Sequence, residues 1–235
     1  MEASEGKLGD LPVIRAAFLR TVRLVSTARL RESVLAPLID DDDDLAALAE
    51  IEGATSARLV AEDRGSVGLP ADEMVHGVPH ARFINASFAY AKPGQPNRFN
   101  GPERGAWYAG LSVETCIAEV GFHLTQALAD VGDYNAVVDY AEMHASMAGE
   151  FVDLRPTPMH PALDANTAAG YPAGNALSAA SRALGLNGIV YPSVRHNGGT
   201  CIVALWPHVV QSVAQGAVVR LSWRGRSQFK VFNPS

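Results

Sequence analysis

A chain of 235 residues with 48% hydrophobic and 19% charged residues can bury a full core without disulfides or a structural metal. None of its apolar runs approaches the roughly 20 residues that a membrane-spanning helix needs. The formal charge of −6 argues against a dedicated nucleic-acid binder, whose phosphate contacts require a cationic surface.

The acidic start, residues 1–7, leads into no apolar signal core, so a cytoplasmic location is expected. Residues 21–26 alternate apolar and polar and predict a half-buried strand that carries Arg23 away from its apolar face. Five aspartates at 40–44 precede residues 45–51, whose Ala and Leu spacing predicts a helix. Negative charge at a helix start is favourable by about 0.3 to 1 kcal/mol, so the run reads as a solvated cap rather than an ion site. Residues 65–79, rich in Gly and Pro, then return from a helical insertion at about 40–80 to the main body of a single domain. His76 and His80 have zinc-like spacing, yet Gly77 and Pro79 remove the helix that would bring them together.

Residues 82–90 fit neither the helical nor the strand period, and 92–96 form a turn. A short buried strand follows at 105–110, and Ser112 caps a helix running to about 126. Glu119 stands two turns into that helix beside Ile117, Val120 and Phe122. Strands are expected at 134–140 and 151–154, then an Ala-rich helix at 172–184 with Pro172 near its start and Gly185 past its end. Residues 188–191 and 201–206 are strongly strand-like and flank a polar, Gly-rich loop at 192–199. A last strand at 218–223 carries Arg220, with Arg224, Arg226 and Lys230 close by, a pattern that suits a solvated sheet edge. Cys116 and Cys201 lie far apart among apolar residues and read as free buried thiols.

Arg98, Tyr108 and Glu119 fall on a consecutive turn, strand and helix, close enough to converge on one pocket for an anionic ring compound. Phosphate-binding Gly-rich loops, dinucleotide glycine fingerprints, nucleophile elbows and paired-cysteine knuckles are absent from the sequence. What is left is a set of arginines, aromatics, one helix-borne glutamate and one loop serine.

In combination, the Arg98-Phe99-Asn100 turn, the Tyr108 strand, the helix from Glu114 to Glu119 and the loop holding Ser193 resemble the RES domain, over roughly residues 18–225. That family is named for arginine, glutamate and serine, and typically supplies the toxin of RES–Xre toxin–antitoxin pairs. The resemblance implies an α+β fold of the ADP-ribosyltransferase type, with mixed sheets and flanking helices. It also implies an enzyme that consumes NAD as substrate and uses no metal. Carried over by position, it assigns Arg23, Glu119 and Ser193 as catalytic and Arg98 and Tyr108 as substrate-binding. The helical insertion leaves Arg82 as a rival for the first arginine, and the roles of Arg195 and His196 stay open.

These assignments make chemical sense. Arginine forks bind diphosphate oxygens bidentately, a role for Arg23 and Arg98. Cleavage of the nicotinamide–ribose bond builds positive charge on the ribose, which Glu119 can stabilise. Tyr108 can stack on a ring, and Ser193 can hold the substrate without being a nucleophile. Three outcomes remain for ADP-ribose: transfer to a protein, release to water or release to phosphate. The expected partners are a cognate Xre-type antitoxin and a protein substrate, with no nucleic acid or membrane. A non-catalytic module that binds a nucleotide or partner chain is the alternative of another class.

Overall fold

The computed structural model describes residues 8–29, 69–89 and 96–233. The expected acidic run and the helix at 45–51 lie outside the described residues. Among the described residues, seven strands and three longer helices follow one another as β1 (Val13–Ser26), α1 (Ala81–Ala89), β2 (Trp107–Gly110), α2 (Val113–Val131), β3 (Asn135–Asp153), α3 (Thr167–Ala183), β4 (Gly188–Pro192), β5 (Thr200–Ala204), β6 (Val210–Arg224) and β7 (Lys230–Phe232). This is a mixed α+β fold, one sheet with flanking helices.

The sheet runs β1-β2-β5-β4-β3-β6-β7, and β1 also pairs with β3. The pairings β1–β2, β2–β5, β5–β4, β4–β3 and β3–β1 therefore form a ring, from which β6 and β7 extend. β3 and β4 run parallel, and the other pairs are antiparallel.

β3 corrects one expectation, because a single strand spans the stretch where two separate strands were expected. Its middle, Ala141 to Met147, is built from Ala and Met, which favour helices, so propensity hides it. Period-two burial reveals it: Ala141, Met143, Ala145 and Met147 are buried, while Glu142, His144 and Ser146 are only partly so. Pairing with β1 on one side and β6 on the other overrides the helical preference.

β4 and β5 are buried on both faces, which is why they read as continuous apolar runs. Val190, Ile202 and Ala204 join a core with Trp107, Met143 and Phe151. Ile189, Tyr191, Cys201 and Val203 face the other way into a cluster with Phe99, Leu163 and Leu177. A third cluster packs α2 through Cys116 against Val22, Leu24, Val219, Leu221 and Trp223. Burying about 100 Å² of apolar surface is worth roughly 2.5 kcal/mol, so these opposed faces pin the β4–β5 pair and fix where its connecting loop emerges.

The helices follow their signals with two shifts. Ser112 caps α2 by accepting from the Thr115 amide at 3.3 Å, and Gly132 closes it in the left-handed region at φ 76. α2 thus ends at Val131 rather than near 126. α3 starts at Thr167, capped by Asn166, so Pro172 lies inside the helix instead of at its start. The stretch 82–90, ambiguous by period, falls largely within α1, which buries Ile84, Asn85 and Phe88; the Asn85 amide bonds both the N–H and the carbonyl of Val75.

Candidate active site

The loop between β4 and β5 closes on the first turns of α2. Ser193 donates its hydroxyl proton to Glu119 Oε1 at 2.6 Å, and its Oγ accepts from the amides of His196 at 2.9 Å and Arg195 at 3.2 Å. Two amides aimed at the oxygen leave the proton one direction, toward the carboxylate. The short O–H···O⁻ distance belongs to the stronger, charge-assisted kind of bond. Both Ser193 and Glu119 are half-buried, so the pair is held firmly yet reachable.

A second contact locks the loop to α2. His196 Nδ1 and Thr115 Oγ1 are 2.9 Å apart, Thr115 Oγ1 lies 3.0 Å from Ser112 Oγ, and the Ser193 amide donates to the Gly199 carbonyl at 2.8 Å. A side chain at 199 would spoil this fit, since a Cβ there would stand 2.7 Å from Thr115 Oγ1 and 2.8 Å from His196 Nδ1.

Arg98 is 8% exposed, and its Nη1 donates to the carbonyls of Ala162 at 2.6 Å and Asp164 at 2.9 Å. α3 passes tightly over this turn: a Cβ at Gly174 would fall 2.0 Å from the Arg98 carbonyl. Tyr108 holds the same turn from below. Its hydroxyl donates to Asn100 Oδ1 and accepts from the Phe99 amide, both at 2.9 Å. Burial pushes its phenol well above the ordinary range, so it stays protonated. The Tyr108 hydroxyl is thereby committed to holding the turn that carries Arg98.

Arg23 lies with its guanidinium 4.9 Å from the Trp107 ring centre and donates to the Tyr108 carbonyl at 3.4 Å. Arg82, its rival, sits on α1 with its guanidinium 4.9 Å from the Phe83 ring. Glu119 and Ser193 therefore meet directly, Tyr108 is bonded from β2 to the turn that carries Arg98, and Arg23 joins them through the Tyr108 backbone.

Two further groups complete the surroundings. Arg195 stacks on Phe122 at 3.5 Å from the ring centre and donates to the Ala165 carbonyl at 2.8 Å. Burial lowers its pKa first and the Arg98 charge next, opposed by Glu119 and Tyr171. Tyr171, on α3, is raised by burial and opposed by Arg98 and Arg195, so all four groups share one field. Arg195 stands in the loop that the sequence marks, whereas Tyr171 carries no signal beyond an aromatic in a helix.

Cys201 Sγ lies 3.8 Å from Glu119 Oε1, and burial together with that carboxylate pushes its thiol up strongly. Burial raises Cys116 to about 12, and its Sγ donates to the Val22 carbonyl at 2.9 Å. Both are free thiols and neither is an activated nucleophile. Among the described residues, no group of three His, Cys, Asp or Glu could hold a metal, and no helix is long and apolar enough to cross a membrane. An open groove on another side of α2, lined by Val113, Ile117, Ala118, Glu142, Val219 and Phe229, contains none of the expected site residues.

The RES domain family model matches residues 74–224. Among solved structures, the chain is similar to one in the crystal structure of the M. tuberculosis MbcT–MbcA toxin–antitoxin complex. That likeness has 18% identity and a TM-score of 0.37, covering 54% of this chain and 72% of the other. Comparison with curated proteins gave no match.

Proposed function

The chain belongs to the RES-domain family, and on that premise we propose that it is the toxin of a bacterial toxin–antitoxin pair, cleaving the nicotinamide–ribose bond of NAD and passing ADP-ribose to a protein. The observation that carries this reading is the 2.6 Å bond from Ser193 to Glu119, set beside Arg98 and Arg195. Ser193 keeps Glu119 pointed into the site, and Glu119 offers negative charge where the ribose becomes positive. The bond from C1′ to the nicotinamide nitrogen breaks, its electron pair leaves with nicotinamide, and a lone pair of the acceptor then bonds C1′. The proton of the acceptor passes to Glu119. A fold of the ADP-ribosyltransferase type and a cognate Xre-type antitoxin covering the site belong to the same proposal.

A second reading ends the same first step on water or phosphate, giving an NAD glycohydrolase or phosphorylase. It is favoured by the half-buried setting of Glu119, which small acceptors enter most easily. Incubating purified protein with NAD labelled in the adenylate phosphate and with cell extract separates the two. Label on a protein band supports transfer, and free ADP-ribose or its phosphate supports breakdown. Intact NAD would sink both.

A further inference from the structure

Two arginines from distant parts of the chain grip the same four-residue segment. Arg98, from the turn ahead of β2, bonds the Ala162 and Asp164 carbonyls through Nη1, and Arg195, from the β4–β5 loop, bonds the Ala165 carbonyl through Nη2. These carbonyls lie within four residues that lead into α3, so both guanidinium groups are drawn to one segment and each feels the other's charge. Each is braced by an aromatic ring: Phe122 lies 3.5 Å from Arg195 and Tyr171 lies 5.5 Å from Arg98. Gly170 makes room for the arrangement, since a Cβ there would stand 2.9 Å from Arg98 Nη1 and 2.7 Å from the Asp164 carbonyl.

Fixing two like charges close together is unfavourable unless an anion stands between them. Among the described residues, no carboxylate forms an ion pair with either arginine. Glu119 shares their field, but its Oε1 already accepts from Ser193. Nε and Nη2 of Arg98, and Nε and Nη1 of Arg195, have no partner among the described residues. The donors left over are thus two part-forks on fixed planes, a set that matches an anion carrying two charges a fixed distance apart.

We propose that Arg98 and Arg195 form a clasp for a diphosphate bridge, which makes Arg195 rather than Arg23 the partner of Arg98 in gripping the substrate. This rests on the NAD reading and deepens it, because it names the group that selects dinucleotides over nucleosides. Arg23 is committed to the Trp107 ring and the Tyr108 carbonyl and makes no bond to the segment at 162–165.

Calorimetric titration of the full chain with ADP-ribose, inorganic pyrophosphate and nicotinamide riboside tests the clasp. For Arg195→Gln, affinity for ADP-ribose and for pyrophosphate falls at least about tenfold, while affinity for nicotinamide riboside, which has no diphosphate, changes less than about twofold. That unchanged binding shows the Ser193 loop is still in place. Arg195→Lys, which keeps the charge and loses the fork, falls between. Equal affinity of wild type and Arg195→Gln for ADP-ribose overturns the clasp and leaves the NAD reading standing. If wild type binds pyrophosphate but neither ADP-ribose nor nicotinamide riboside, and Arg195→Gln weakens pyrophosphate binding, the clasp stands and the NAD reading falls. Wild type that binds no diphosphate overturns both.

Discussion

Two regions of this molecule are rich in charge, and they use it differently. At the β6–β7 edge, Arg220 forms a bidentate pair with Asp139 at 2.6 and 2.8 Å, while Arg224, Arg226 and Lys230 are exposed. Around α2 and the β4–β5 loop the charges are fewer, but each is aimed by neutral groups: Ser193 at Glu119, Tyr108 through its turn at Arg98, and Phe122 under Arg195. Exposed ion pairs are screened and worth about 0 to 1 kcal/mol. Oriented, half-buried charges keep their field. Charge density on its own therefore marks a solvated edge, and charge fixed by a hydrogen-bonded scaffold marks a site.

The comparison breaks most sharply at Glu119. Wild type expressed alone in bacteria is expected to arrest growth, and Glu119→Gln to abolish that arrest while changing stability by less than about 1 kcal/mol in urea melts. Growth arrest undiminished in this variant would place the chemistry elsewhere. Ser193→Ala removes the donor that aims the carboxylate and leaves the Arg195 and His196 amides without their acceptor. Turnover of NAD should drop by about ten- to hundredfold, somewhat less than the loss of a donor that contacts the developing charge itself.

The scaffold comes next in size. Gly199→Ala forces a Cβ against Thr115 and His196, so a cost of about 1 to 3 kcal/mol in thermal unfolding is expected, together with reduced turnover. A stability unchanged by this substitution would show that the loop is not locked to α2 as described.

The smallest effect belongs to the charged edge. Arg220→Ala should cost less than about 1 kcal/mol and leave turnover unchanged. Arg220 lowers the Asp139 pKa through their hydrogen bond. Whatever that pair contributes is present at neutral pH and is lost as the pH falls through the lowered value, so wild type and Arg220→Ala should converge in acid. A gap in melting temperature that widens in acid would contradict this sign.

Much of the frame was legible in the residues because it rests on local signals. Ser112 as a cap, Gly185 past the end of α3, and the apolar runs of β4 and β5 each state their structure within a few positions. The centre of β3 was not legible, because long-range pairing on both edges outweighs the helical preference of Ala and Met. Glu119 and Ser193 were nameable only through the resemblance of their segments to the RES domain, and the structure adds the bond between them. Tyr171 was hidden because its partners, Arg98 and Arg195, are 73 residues before and 24 residues after it in sequence.

Central to the proposed function is Glu119, aimed by Ser193, cleaving the nicotinamide–ribose bond. Proton NMR of NAD incubated with purified wild-type protein and with Glu119→Gln, both verified as folded, tests it most directly. It predicts free nicotinamide appearing with wild type, at least about 100-fold slower with the variant. NAD left intact by folded wild-type protein, or nicotinamide released equally fast by both, would contradict it.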